Sequence, residues 1–382
     1  MIYLDHNATT PVAPEVVEAM AACLRDCPGN PSSVHRAGQE AARRLDRSRE
    51  AVAALIGAAP DEIVFTSGAT EADNQAVLGL GVSHDGRASH IVASAIEHQA
   101  VLAPARVAES AGTRLDLIGV DALGRVNPAD VAAEAGSGTA LISLMLANSE
   151  TGVLQPVREI ADFAKSRAIP MHTDAAQAVG KIAVDVRELG VDLLSMSAHK
   201  LRGPKGIGAL YVRRDFPAPV WLHGGPQEGG RRGGTENLPG VVGFAKACEL
   251  AAARLAEYIG RVGALRERLE TGVRTRFPEA VVNGAGAARL PNTLSVSFPG
   301  IEGARLALSL DLAGIAVSTG SACCGKRPQA SHVLLAMHHD YGVATCAVRF
   351  SLGWETTAAE IEATLAAVAA TVPRLRTLNP EP

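Results

Sequence analysis

A chain of 382 residues, 47% hydrophobic and 20% charged, with a formal net charge of −4 at pH 7, describes a soluble globular protein long enough for two domains with sizeable cores. That balance implies no basic face for nucleic acid and no membrane span, and the start, Met1-Ile-Tyr-Leu-Asp-His-Asn-Ala-Thr-Thr10, lacks a secretory pattern, so the expectation is a cytoplasmic protein. Six cysteines without Cys-x-x-Cys spacing make neither a disulfide framework nor a zinc site, and any special cysteine is expected to be reactive.

In chain order, Ile2-Tyr-Leu4 reads as a short strand and Asp5 to Pro11 as an ordered loop, because its Asp, Asn and Thr side chains hydrogen-bond their own backbone. A helix is expected from about Pro14 to Arg25. The turn-dense Gly29-Asn-Pro-Ser-Ser-Val-His35 supplies N-cap residues for a long amphipathic helix that stops at Gly57. From Glu62 the pattern is regular. Strands are expected at Ile63–Phe65, His90–Ser94, Leu115–Val120, Ala140–Leu146, Met171–Thr173 and Leu193–Ser197, with helices such as Ala72–Leu80 and His98–Ser110 between them. This β-α alternation predicts a mainly parallel sheet covered on both faces, with binding residues at the strand carboxyl ends. Beyond Thr235-Glu-Asn237 the chain is helical in texture to about Arg276, and strands at Leu294–Phe298, Ile315–Ser318 and Val348–Leu352 form a smaller α+β set. The shift near Gly260 places a large domain at 14–259 and a small one at 1–13 with 260–382.

Lys200 stands at the far end of an apolar strand, before a Gly-rich turn and a second apolar run. A desolvated amine facing a ligand crevice can form a Schiff base with a carbonyl compound, although a lysine in a turn is also an ordinary surface residue. Asp174, in His172-Thr-Asp-Ala-Ala-Gln177, ends a neighbouring strand and could cap a helix. The pair is what pyridoxal phosphate chemistry requires, an amine for the imine and an acid to hold the pyridine nitrogen protonated. Ser67-Gly-Ala-Thr-Glu71 lies between strand and helix, where backbone N–H groups can receive a phosphate or simply be capped. His98 could lie over a ring or hold a helix start. Asn148 could reach a ligand or shape its own turn. Arg349, a charge within an apolar strand, needs a carboxylate partner, from an amino-acid substrate or from a structural salt bridge. Ser318-Thr-Gly-Ser-Ala-Cys-Cys-Gly325 is a small-residue loop suited to presenting a thiolate.

Read together, Leu4-Asp-His-Asn-Ala-Thr-Thr10, Gly29-Asn-Pro-Ser-Ser-Val-His35, Thr66-Ser-Gly-Ala-Thr-Glu71, Glu97-His98, Ala147-Asn-Ser-Glu-Thr-Gly152, His172-Thr-Asp-Ala-Ala-Gln177, Ser197-Ala-His-Lys200, Gly234-Thr-Glu-Asn237, Gly320-Ser-Ala-Cys323 and Arg349-Phe-Ser351 resemble cysteine desulfurases of the nitrogenase and iron–sulfur-cluster assembly type. The resemblance runs in order along nearly the whole chain. It implies a class-V aminotransferase of the aminotransferase-like α/β fold (pyridoxal-phosphate fold type I), with a mainly parallel seven-stranded sheet between helices and a smaller α+β domain. It further implies that Lys200 holds pyridoxal 5'-phosphate covalently, that Asp174 pairs with its ring nitrogen, that Gln177 bonds its phenolic oxygen and that His98 stacks on the ring. Ala69, Thr70, Ser197 and His199 would bind the phosphate, with Thr235 from the other subunit of a homodimer. Arg349 and Asn148 would hold the carboxylate of L-cysteine, and Cys323 would take its sulfur as a persulfide for a sulfur-acceptor scaffold.

Two departures from the usual pattern stand out. Ser149 replaces a second Asn, and Cys323-Cys-Gly-Lys-Arg-Pro-Gln329 doubles the thiol, with Lys326 and Arg327 placed to lower a nearby thiol pKa. Leu375-Arg-Thr-Leu-Asn-Pro380 resembles the nitrogenase-associated branch slightly more than the housekeeping one. A selenocysteine lyase or small aminotransferase on the same scaffold is the alternative in kind. A non-catalytic sulfur or iron–sulfur binder using Cys323, Cys324, His332, His338 and His339 would leave Lys200 and Asp174 without a joint purpose.

Overall fold

The computed structural model describes residues 1–82, 89–217, 219–319 and 330–378, the side chain of Leu378 excepted; Cys323, Cys324, Lys326 and Arg327 lie outside them. The elements in order are β1 (Ile2–Tyr3), α1 (Pro14–Asp26), α2 (Arg36–Leu55), β2 (Ile63–Thr66), α3 (Ala69–Gly81), β3 (His90–Ser94), α4 (Gln99–Ser110), β4 (Arg114–Ile118), α5 (Pro128–Glu134), β5 (Thr139–Ser143), α6 (Val157–Ser166) and β6 (Met171–Asp174). They continue with α7 (Val186–Leu189), β7 (Leu193–Ser197), β8 (Gly208–Val212), α8 (Leu238–Arg276), β9 (Val281–Val282), β10 (Thr293–Ser297), α9 (Gly303–Leu312), β11 (Ile315–Ala316), α10 (His332–Ala336), α11 (Tyr341–Thr345), β12 (Ala347–Ser351) and α12 (Ala358–Leu378).

Seven strands form the large sheet in the order β2-β8-β7-β6-β5-β3-β4. Strands β7, β6, β5, β3 and β4 are mutually parallel, and β8 runs antiparallel to both β7 and β2. The reversal follows from chain length. Residues 198–207 between β7 and β8 hold only one short 3-10 turn, too little for the helical crossover that a parallel neighbour requires. Strands β2, β3, β6, β7 and β8 are buried at every position, as expected for a sheet with helices on both faces.

The helix starts are chemically explicit. His98 caps α4 by accepting from the Ala100 N–H, Asn237 caps α8 by accepting from the Gly240 N–H, and Pro14 opens α1, where no intrahelical N–H is needed. Along α2, Ala41, Leu45, Ser48 and Val52 recur at helical spacing and are buried on the side that packs against α8.

Helix α8 crosses the expected division without a break. Leu238, Val241, Phe244, Ala247, Cys248 and Ala251 join the core of the large sheet; Tyr258, Val262, Leu269 and Val273 join a second core with Leu294, Val296, Val348, Phe350, Ile361 and Leu365. The second core is built on the antiparallel sheet β12-β10-β9, with α12 packed against α8. The N-terminal segment joins both cores: Leu4 belongs to the second and Ala13 to the first, and Asp5 bridges in parallel to Ser351.

Phe350 is fully buried in that second core, next to Arg349 on β12. Phe350→Ala is expected to cost about 3–5 kcal/mol of stability, read as a fall in the urea midpoint of the cofactor-free protein.

Candidate active site

The carboxyl ends of the parallel strands converge where the sequence leads one to look. β2 feeds the turn to α3, β3 leads to His98, β5 to Asn148, β6 ends on Asp174, and β7 delivers Ser197 into the turn that carries His199 and Lys200. At the first of these, Gly68 precedes α3 with no side chain capping the helix, and nothing lies within 4 Å of where a Cβ would project. Gly208 is required opposite it, since a Cβ there would stand 2.7 Å from the Gly68 backbone. Glu71 takes the Ser67 N–H and pairs with Arg232, so its charge is matched and the first N–H groups of α3 remain for an anion. Ala69 is half-buried and Thr70 exposed.

Among the described residues Lys200 has no carboxylate within hydrogen-bonding distance. Its Nζ donates to the backbone carbonyls of Asn7 at 2.5 Å and Ala8 at 2.9 Å. Burial first, then the charge of Arg349, lower its pKa from 10.5 to about 8, with Asp174 and Asp5 opposing. Asp174 is the reverse case. Its Oδ1 accepts from the Ala176 N–H at 2.8 Å, and burial reinforced by the charge of Asp73 raises its carboxyl to about 6. Two residues back on β6, His172 is fully buried with its ring nitrogens 2.8 Å from Ser143 Oγ and 2.9 Å from Ser195 Oγ, and 3.5 Å from Asp73. Burial drives His172 down to about 4 and the Asp73 carboxyl up to about 7, so at neutral pH His172 is uncharged and Asp73 carries part of a negative charge.

His98 keeps an exposed ring while its Nδ1 caps α4, and its pKa is lowered chiefly by desolvation, with Asp174 opposing and Lys200 and His332 adding. His199 bonds Thr9 Oγ1 through Nδ1 at 3.1 Å and is lowered to about 4 by burial and the Lys200 charge. Ser197 is buried at the end of β7. Gln177 donates from Nε2 to the Asn7 carbonyl at 2.9 Å. Arg349 is 5% exposed, donates to Asp5 Oδ1 at 2.7 Å and to the Ser149 carbonyl at 3.1 Å, and leaves a buried Nε without a partner. The structural carboxylate that the sequence left open is therefore present, and one guanidinium nitrogen is still free. Thr235 is exposed ahead of α8 and makes no hydrogen bond among the described residues. Cys323 lies outside them.

Asn148 takes the turn-shaping role that the sequence left open beside ligand contact. Its Oδ1 accepts from Glu150 N, Thr151 N and Thr151 Oγ1, its Nδ2 faces the Ile96 carbonyl and Met145 Sδ, and it is fully buried. With every polar atom engaged, it shapes the turn that places the Ser149 carbonyl beside Arg349, and it has nothing left for a ligand.

Sequence reasoning passed over two residues that hold the site. Asn7 receives Lys200 and Gln177 on its carbonyl, donates from Nδ2 to Ser149 O and Thr293 Oγ1, and accepts on Oδ1 from Lys181 and Asn292. Lys181 is the second. The available signals were weak, a polar loop for Asn7 and a lone cation in an apolar run for Lys181.

A buried acid with no cation bonded to it and a half-buried amine with no acid bonded to it, among the described residues, fit the two ends of pyridoxal phosphate chemistry. Asp174 would meet the ring nitrogen, Lys200 the carbonyl carbon, and the start of α3 with Ser197 and His199 the phosphate.

The Aminotransferase class-V family profile matches residues 2–364. The chain is 43% identical over 379 residues to a protein of Dictyoglomus turgidum named cysteine desulfurase IscS, covering 99% of this chain and 96% of that one. Among solved structures, a NifS-like protein superposes with a TM-score of 0.91 at 38% identity, over 98% of this chain and 100% of that one. A structure titled SspA in complex with cysteine superposes with a TM-score of 0.81 at 34% identity, over 92% and 99%.

In the cofactor-free protein Lys200 keeps its proton below about pH 8 and loses it above. Residue-resolved labelling with an amine reagent should therefore rise through a midpoint near pH 8, against about 10.4 for an ordinary lysine; a midpoint at the ordinary value would contradict this geometry.

Proposed function

This chain belongs to the class-V aminotransferase family, and on that premise we propose that it is a cysteine desulfurase that uses pyridoxal 5'-phosphate to convert L-cysteine to L-alanine, retaining the sulfur as a persulfide for iron–sulfur cluster assembly. The observation that carries the reading is the complementary pair at the ends of adjacent strands. Asp174 is a buried carboxyl raised to about 6, with no cation in hydrogen-bonding distance, and Lys200 is an amine lowered to about 8, with no carboxylate.

When bound, the cofactor supplies a ring that draws charge away from the substrate Cα. Asp174 holds the ring nitrogen protonated, and the low-dielectric layer of His172 and Asp73 beneath it strengthens that hold. Lys200 would hold the cofactor through Nζ and serve as the base for the Cα proton, and a pKa near 8 suits proton transfer close to neutrality. Ala69, Thr70, Ser197 and His199 would hold the phosphate, and His98 would stack on the ring. Arg349 Nε is the donor for the substrate carboxylate, next to the nitrogen already given to Asp5.

Cys323 is the sulfur acceptor. Its thiolate attacks the substrate sulfur, the new S–S bond forms as the Cβ–S bond breaks, and the electron pair left on Cβ takes a proton, so that one thiol and L-cysteine give one persulfide and L-alanine. The protein works as a homodimer, with the exposed Thr235 of each protomer completing the other's phosphate site, and passes sulfur to a scaffold protein. No described helix is long and apolar enough to cross a membrane, in keeping with action in the cytoplasm. The two cores support a large domain at 14–259 and a small one at 1–13 with 260–382, joined by α8.

The visible spectrum of the purified protein tests this directly. An absorption band abolished by borohydride, with reduced cofactor trapped on Lys200 and alanine formed one-for-one with sulfide from L-cysteine under reducing conditions, is expected; a colourless protein that pyridoxal phosphate cannot reconstitute would sink the reading. Cys323→Ala should retain the band and lose sulfide release, whereas activity undiminished in that variant would move the acceptor role elsewhere. Arg349→Gln is expected to lower kcat/KM for L-cysteine by roughly 100-fold, about 2.7 kcal/mol, and an unchanged value would remove Arg349 from the substrate site.

A further inference from the structure

Lys181 is 3% exposed, four residues beyond Gln177, and its amine touches no carboxylate. Nζ lies 2.6 Å from Oε1 of Gln177 and 3.0 Å from Oδ1 of Asn7. The charged and titratable groups that bear on it, Lys200, Arg349 and His6, give it no counter-ion, and burial with the Lys200 and Arg349 charges pushes its pKa well below the usual lysine value. The amine has two N–H groups for these two oxygens whether or not it carries a third proton.

The consequence lies in which way two amides face. Gln177 Nε2 donates to the Asn7 carbonyl at 2.9 Å, which can only accept, while its Oε1 accepts from Lys181. Turning that amide over would set oxygen against carbonyl oxygen and NH2 against the amine, leaving buried polar groups unpaired at both ends. In Asn7 the same amine holds Oδ1 together with Asn292 Nδ2 at 3.0 Å, so Nδ2 must face Ser149 O and Thr293 Oγ1. The Asn7 backbone carbonyl between these contacts is the one that receives Lys200 at 2.5 Å.

We infer that Lys181 is a positioning residue that locks the side-chain amides of Gln177 and Asn7, so that Gln177 presents an N–H to the phenolic oxygen of the bound cofactor. This rests on the assignment of Gln177 to that oxygen. A donor there withdraws charge from the oxygen and weakens its hold on the adjacent proton, so losing the donor raises the pH at which the cofactor's absorption band titrates.

The test is the pH midpoint of that band in the cofactor-loaded protein for wild type, Lys181→Met, Gln177→Leu and the double variant. Each single change is expected to raise the midpoint by about one unit, a tenfold change in proton affinity, and the double variant should move no further than either alone. A lysine with only a structural role would lower the thermal midpoint and the cofactor affinity while leaving the pH midpoint in place. If Gln177→Leu shifts the midpoint and Lys181→Met does not, or if the two shifts add, the positioning role is wrong and the assignment of Gln177 stands. If Gln177→Leu itself leaves the midpoint unmoved, that assignment fails and the inference with it. Should Lys181→Met not fold, Lys181→Gln keeps a polar group in the pocket but can present an acceptor as well as a donor. The same upward shift is expected from it, and its absence overturns the proposal.

Discussion

The backbone carbonyl of Asn7 is the point on which the rest of the site turns. It accepts from Lys200 and from Gln177, while the same residue's side chain reaches Lys181, Asn292, Thr293 and Ser149. These partners come from both cores, so a segment of about ten residues at the N-terminus fixes how the Lys200 turn, the Gln177 turn and the small antiparallel sheet stand to one another. A buried carbonyl that takes two donors is a demanding constraint, and Lys200 shares its amine between this carbonyl and that of Ala8.

Charge is sorted across the crevice in a way that a zwitterionic cofactor and an amino-acid substrate complete. Lys200, Lys181 and Arg349 lie on the side of the N-terminal segment, where Asp5 forms an ion pair with Arg349. Asp174, Asp73 and Glu97 lie under the strand ends, where burial raises all three carboxyls, Glu97 to about 8. A ring that is cationic at its nitrogen and anionic at its phosphate and phenolic oxygen is matched at each end. The uncompensated desolvation of Asp174 and Lys200 is the cost of holding that arrangement ready.

The stretch that carries Cys323 is tied to the same site at both of its described ends. Ser318 exchanges backbone hydrogen bonds with Arg349, and Ser331, which caps α10, gives its hydroxyl to the buried carboxyl of Glu150 at 2.5 Å. Glu150 belongs to the turn that Asn148 shapes, so Arg349, that turn and the described residues Ser318 and Ser331 are one connected unit.

The amino-acid sequence by itself determined the alternation of strand and helix and the places where strands end, and it singled out Lys200, Asp174, His98 and Arg349 as candidates, because periodicity and residue type are local properties. It also carried the family resemblance, which rests on short motifs in order. What only the tertiary structure decided was which side-chain atoms remain available. Asn148 and Gln177 look equally eligible as polar residues at strand ends. Both amide atoms of Asn148 are consumed around its own turn, whereas those of Gln177 bond Asn7 and Lys181 and leave one amide N–H over; of these partners Ile96 and Asn7 are distant in the chain and Thr151 and Lys181 local. The division of α8 between two cores and the central place of Asn7 were hidden for the same reason. They depend on pairings across long sequence separations, where burial forces each polar group to find a partner and a sequence pattern does not record which one.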